Sequence, residues 1–171
     1  YSVDVPTAWN GLEQIIPALI VDFNLNPERA LEFGVDYGFS TAALANYFGT
    51  VDGVDTFRGD AHAGWREEDL VHKVRNTLSI FPNVTLHQCS YEEWIKFDNE
   101  RYNLIHIDIF HTFDDTYACG KWAIEHSDFV IFHDTLSFPP VGKAVEALAE
   151  ESGMECYNYP KCHGLGILVR R

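Results

Sequence analysis

The chain has 171 residues, a length that suits one domain. Hydrophobic residues at 46% and charged residues at 22% exclude a disordered chain. Lys+Arg 12 against Asp+Glu 26 gives 12 − 26 = −14, which argues against a nucleic-acid partner and against an anionic membrane surface, since both are held through Lys and Arg. No apolar run approaches the roughly 18 residues of a membrane span. Residues 1–10 carry neither the basic nor the apolar segment of a signal peptide, and the opening Tyr1 in place of Met fits a native chain that starts earlier. Cys89, Cys119, Cys156 and Cys162 form no C-x-x-C pair and read as free thiols of a reducing, cytoplasmic compartment. Cys156, Cys162 and His163 lack a fourth ligand and the usual zinc spacing, so a sheet-edge hairpin with incidental thiols is the preferred reading there.

In chain order, periodicity predicts an opening helix over 8–23, with Pro17 its weak point. A buried strand over Leu31 to Val35 follows, then a helix from Ser40 to Phe48. Val51 to Thr56 reads as a second strand, 57–64 as a polar loop, and Trp65 to Ile80 as a helix ended by Pro82. Val84 to Gln88 is a third strand, Tyr91 to Lys96 a short helix, and Tyr102 to Ile109 a fourth strand. Phe113 to His126 is helical, Phe129 to His133 a fifth strand, and Val141 to Glu151 a helix. Met154 to Tyr159 and Leu165 to Val169 close the chain as a hairpin. Continuous apolar strands alternating with helices predict a doubly wound, mostly parallel seven-stranded α/β sheet with an antiparallel C-terminal hairpin. With no repeat, linker or low-complexity segment, one domain over 1–171 is expected, with residues 1–28 as an N-terminal helical segment.

In such a sheet, ligands bind beyond the carboxyl ends of the strands, near the switch in strand order. Gly34 and Gly38 flank a turn into a helix, where glycine lets backbone approach a ligand. The spacing is Gly-x-x-x-Gly, so the G-x-G-x-x-G fingerprint is not met. Asp55, at the end of the second strand, is placed to accept ribose hydroxyls. His106 and Asp108 share a strand face, with His106 deeper and read as a hydrogen-bonded core histidine. Asp108 and Asp134, ending neighbouring strands, are expected to converge. Two carboxylates brought together repel unless a cation lies between them; oxygen ligands suit Mg²⁺, or Mn²⁺ if an imidazole joins. His111 is then placed to take a proton from a hydroxyl on that metal. The alternative is that these residues cap helices and strand ends. A facial iron triad is disfavoured, because it belongs on an all-β frame.

The segments LEFGVDYGFST, VDGVDTF, YNLIHIDIFHTFDDT, FVIFHDT and GLGILV run in one order over about residues 29–170. In these the sequence resembles class I S-adenosylmethionine-dependent methyltransferases, more narrowly the small-molecule group of macrocin-type sugar O-methyltransferases and cephalosporin-hydroxylase-like proteins. The resemblance implies a Rossmann-like methyltransferase fold. It also implies that Glu32, Gly34 and Gly38 surround the methionine part of the cofactor, with Ser40 among the cofactor-binding residues, that Asp55 holds its ribose, and that Cys89, Ser90 and Tyr91 lie along its adenine. Asp108 would touch both cofactor and metal, Asp134 and His133 would complete the metal ligands, and His111 would be the general base.

Three departures stand out. Asp36 replaces the middle glycine of the turn, to bind the cofactor's ammonium or to spoil the site. His133 stands in place of an acid. The chain also leaves little for a lid beyond residues 1–28, 57–65 and 136–140, where Arg58, His62, Trp65, Phe138 and Pro139 are the substrate-side candidates. A homo-oligomeric partner would complete an open pocket. The expected activity is methyl transfer, metal-assisted, to a hydroxyl of a small molecule such as a sugar. Two other readings are a methyltransferase-fold protein that binds without catalysis, and a nicotinamide-dependent oxidoreductase.

Overall fold

The computed structural model describes residues 1–61, 64–66 and 70–171. In chain order the elements are α1 (Leu12–Asp22), β1 (Arg29–Phe33), α2 (Phe39–Ala45), β2 (Thr50–Asp55), β3 (Gly59–Asp60), β4 (Gly64–Trp65), α3 (Val71–Thr77), β5 (Val84–Gln88), α4 (Tyr91–Phe97), β6 (Leu104–Ile107), α5 (Phe113–His126), β7 (Phe129–Phe132), α6 (Pro139–Ser152), β8 (Glu155–Tyr159) and β9 (Leu165–Val169). A seven-stranded sheet runs β5-β2-β1-β6-β7-β9-β8. The strands from β5 to β7 are mutually parallel; β9 is antiparallel to both β7 and β8. This is the doubly wound, mostly parallel sheet with an antiparallel end that the sequence predicts.

Strand alternation sorts the core into two layers. Ala30, Leu104, Phe129 and Ile131 pack with Leu12, Ile16, Leu44 and Val74 of α1, α2 and α3. Leu31, Ile105, Val130 and Phe132 pack with Cys119, Ala123 and Leu148 of α5 and α6. Each such fully buried Leu, Ile or Phe contributes roughly 1.5–3 kcal/mol from removed apolar surface. Chain order runs outward from β1 to β2 and β5, then returns to β6 on the other side of β1. The sheet therefore opens a crevice at the carboxyl ends of β1 and β6, the switch point of an α/β sheet.

Two stretches differ from expectation. The first helix starts at Leu12 rather than residue 8, because Gly11 takes a left-handed φ of 102° and leaves residues 6–10 as a strap outside it. Its helix runs through Pro17. Among the described residues of 65–80 the helix is the short α3; Trp65 belongs instead to a two-stranded ribbon in which Gly59 faces Trp65 and Asp60 faces Gly64. Gly59, at φ 73°, makes that ribbon possible, since a Cβ there would sit 1.9 Å from the Gly64 carbonyl oxygen. Cys156 lies on β8 and Cys162 in the β8–β9 turn, and all four cysteines are free thiols. No helix among the described residues is long and apolar enough to cross a membrane.

Candidate active site

A cavity of about 410 Å³ opens at the crevice. Its floor is the turn after β1. Gly34, Asp36 and Gly38 all have positive φ (91°, 51° and 95°), which folds the backbone tightly into α2. A Cβ on Gly34 would lie 1.7 Å from the Asp108 carbonyl oxygen, so only glycine lets the turn after β1 meet the end of β6. Asp55 braces this turn from beneath. Its Oδ2 accepts from the N–H groups of Val35 (2.9 Å) and Asp36 (2.8 Å), and its Oδ1 from that of Phe57 (2.7 Å). Burial pushes the Asp55 carboxyl up, against the pull of those three bonds. Of about four acceptor sites on a carboxylate, backbone takes three.

At the ends of β6 and β7 stand Asp108, His111 and Asp134, whose potential ligand atoms lie within 4.8 Å of one another. His111 Nε2 is 2.8 Å from Asp134 Oδ2 and 3.8 Å from Asp108 Oδ1. Burial raises the Asp108 carboxyl to about 6, with Asp134 adding to the rise. Burial also disfavours the His111 imidazolium, yet Asp108 and Asp134 outweigh it and lift His111 to about 9. Without a metal, His111 therefore carries the positive charge that two adjacent carboxylates require. Two adjacent carboxylates are an oxygen donor pair that fits Mg²⁺ or Mn²⁺, with the His111 imidazole beside them. Phe138 stacks on His111 at 3.9 Å and lines the cavity beside it.

His133 does not join this group. It continues the alternation of Phe129 and Ile131, so its side chain points to the α1 side of the sheet, where Nδ1 meets His106 Nε2. Trp9 covers its ring at 4.0 Å, and burial holds its pKa well below the usual histidine value. Asp134, at φ 62°, leaves the strand conformation and so turns to the cavity. Glu32 is likewise beneath the site rather than in it. It is fully buried, with one oxygen taking the Thr41 hydroxyl and the other His106 Nδ1 at 2.7 Å.

Ser40, Cys89, Ser90 and Tyr91 line the cavity. Ser90 caps α4 through a reciprocal bond pair with Glu93. The Tyr91 hydroxyl donates to Asp115 at 2.6 Å; burial, then that bond, raises its pKa. Arg58 and Trp65 are exposed and stand outside the cavity, because the ribbon turns them to solvent. His62 lies outside the described residues. Sequence reading missed Trp9, which the predicted helix concealed, and Arg66. The latter reaches from the ribbon to Asp36 Oδ1 at 2.6 Å and lies over the Tyr37 ring at 4.8 Å. Arg66 is itself in the cavity wall.

A glycine turn braced from β2 and a carboxylate pair reached from β6 and β7, on this strand order, belong to the class I methyltransferase fold. The chain is a member of the methyltransferase-domain family: the family model described as "Methyltransferase domain" matches residues 31–135. It is 30% identical over 156 residues to an uncharacterized protein of Sinorhizobium fredii, y4gI; the match takes in 84% of this chain and 17% of that protein. The chain thus spans under a fifth of its curated relative. Among solved structures it resembles an O-methyltransferase from Bacillus cereus in complex with SAH (15% identity, TM-score 0.69, 99% of this chain and 84% of that one). It also resembles the O-methyltransferase NovP (14%, TM-score 0.71, 94% and 78%) and an SAH-bound methyltransferase from Podospora anserina (12%, TM-score 0.68, 99% and 90%).

Proposed function

We propose that this chain transfers a methyl group from S-adenosylmethionine to a hydroxyl oxygen of a small molecule such as a sugar, with a divalent cation at Asp108 and Asp134. The observation that carries the reading is that one cavity holds both the glycine turn after β1 and the Asp108–His111–Asp134 group. Structural relatives solved with SAH support the cofactor. Ser40 and the turn 34–38 would surround its methionine end, and Cys89, Ser90 and Tyr91 its adenine. Asp55 has one acceptor site left, on Oδ1, for a single ribose hydroxyl. Bound Mg²⁺ or Mn²⁺ would supply charge that favours the alkoxide form of the acceptor.

The chain's own groups account for the rest. Asp108 and Asp134 would hold the cation, whose charge would balance theirs in place of the His111 imidazolium. His111 Nε2, then neutral, would take the acceptor's hydroxyl proton. The reacting oxygen need only be held in line with the sulfonium methyl, so positioning supplies most of the acceleration. Asp108→Ala and His111→Ala are expected to abolish turnover with the fold intact by circular dichroism. Full turnover in both variants would remove them from the chemistry.

Calorimetric titration with S-adenosylmethionine and S-adenosylhomocysteine, in Mg²⁺ and in chelator, tests the reading directly. Micromolar binding, about −8 kcal/mol, is expected. Binding without turnover on any hydroxyl acceptor would leave a non-catalytic binding protein, the second reading favoured by the carboxylate at position 36.

A further inference from the structure

One buried polar chain crosses the apolar layer between the sheet and α1. The Thr41 hydroxyl donates to Glu32, the other Glu32 oxygen meets His106 Nδ1 at 2.7 Å, and His106 Nε2 meets His133 Nδ1. Glu32, His106 and His133 are 0%, 1% and 2% exposed. Their neighbours on this face are Ala30, Leu104, Ile131 and Ile167. Such a chain is an expensive way to fill a core, since apolar residues of equal volume commonly do as well or better for stability.

The chain spans β1, β6 and β7, in a row set by the pairing of Glu32 with His106 and of His106 with Ile131. These are the strands whose ends carry Gly34, Asp108 and Asp134. A carboxylate only accepts, so Glu32 fixes the His106 proton on Nδ1; His106 Nε2 then accepts from His133 Nδ1–H. The His133 ring is thereby held in one tautomer and one orientation, with Trp9 stacked on it 25° from parallel. Its backbone N–H donates to Ile107 at 3.1 Å. The next residue, Asp134, keeps a left-handed φ of 62°, a conformation that aspartate tolerates better than most residues and that takes its carboxylate out of the strand's alternation toward the cavity.

We propose that Glu32 and His106 are positioning residues, which act through His133 to hold the Asp134 carboxylate where it meets the cation beside Asp108. This rests on the metal-assisted reading given above. Partners that orient metal ligands typically carry 10–100-fold in metal affinity, and that is the effect expected here.

The test is Mn²⁺ titration followed by electron paramagnetic resonance, on the wild type, on Glu32→Gln, and on the double variant Glu32→Met/His106→Leu. Melting curves and S-adenosylmethionine calorimetry run in parallel. The double variant is expected to melt within a few degrees of the wild type yet bind Mn²⁺ at least tenfold more weakly. Glu32→Gln, which keeps an acceptor for His106, should lose less. Cofactor affinity measured in chelator should be unchanged in both. Equal Mn²⁺ affinity in wild type and both variants would overturn the positioning role while leaving the metal reading standing. A lower melting temperature with unaltered Mn²⁺ affinity would make the chain a strand pin only. No Mn²⁺ binding by the wild type would remove the metal reading and the positioning role together. If the double variant does not fold, Glu32→Gln decides alone, on the same affinity readout.

Discussion

Gly34 is where the two halves of the site touch. Its φ of 91° and the 1.7 Å a Cβ would leave to the Asp108 carbonyl make Gly34→Ala a backbone clash rather than a side-chain one. Because flexible atoms cannot absorb it, the variant should lose about 2–4 kcal/mol of stability, read by urea denaturation, and weaken S-adenosylmethionine binding as well. A variant as stable as the wild type would show that the β1 turn and β6 move apart without cost. His111 makes a second residue-scale prediction. Its pKa stands near 9 against 6.5 in an unfolded chain, so the folded state binds the proton more tightly. That contribution is fully present below pH 6.5 and is lost as pH rises through 9. Asp108, raised to about 6, acts with the same sign between pH 3.8 and 6. His133, pushed down, acts oppositely, its share being lost as pH falls below 6.5. Between pH 7 and 8.5 His111 dominates these three. In chelator the wild type should lose on the order of 1–2 kcal/mol across that window, a drop of roughly 3–6 °C in melting temperature. His111→Gln should lack this drop, and the prediction fails if the two proteins show the same pH profile.

At the scale of elements, the ribbon β3–β4 is tied to the turn after β1 by Arg66, whose guanidinium pairs with Asp36 and covers Tyr37. Asp36 is half-exposed, so the pair adds little to stability, within about 1 kcal/mol. Its effect belongs to binding instead. On the proposed function, the cofactor's ammonium would compete with Arg66 for the Asp36 carboxylate, and removing Arg66 would release it. Arg66→Ala is expected to leave the melting temperature nearly unchanged and to tighten S-adenosylmethionine binding several-fold by calorimetry. Weaker binding would show that Arg66 helps to hold the cofactor and that Asp36 does not take its ammonium. The ribbon was illegible in the sequence because it depends on Gly59 and Gly64 at positive φ, inside the stretch 57–64 that reads as a polar loop, and on Trp65, which the helical spacing of 65–80 claims. The strap 6–10 was hidden for a related reason: the apolar period runs on through Trp9, while Gly11 breaks the helix.

Over the whole molecule, the charge balance of −14 and the acidic groups around the cavity mean that a cation bound at the proposed site would stabilise the fold. Mg²⁺ or Mn²⁺ at millimolar concentration should raise the melting temperature and flatten the pH dependence that His111 causes in chelator, because the ion replaces the proton. An unchanged melting curve in the wild type would argue that His111 serves as the permanent counter-charge of Asp108 and Asp134.

The amino-acid sequence by itself determined the sheet, its winding and the residues at its strand ends. Apolar runs that must bury both faces, and helices that must bury one, are local patterns with a single economical packing. It therefore placed Asp108, Asp134 and the turn 34–38 at one edge. Only the tertiary structure decided which neighbours share a cavity. His133 and Asp134 adjoin in sequence yet point to opposite destinations, since one keeps the strand's alternation and the other breaks it at φ 62°. Glu32, at the edge of the glycine motif, turns inward to His106 for the same geometric reason, and Arg66 finds Asp36 across 30 residues. Periodicity carries information about faces, whereas side-chain direction at strand ends and pairing across loops are fixed by packing, which no local pattern encodes.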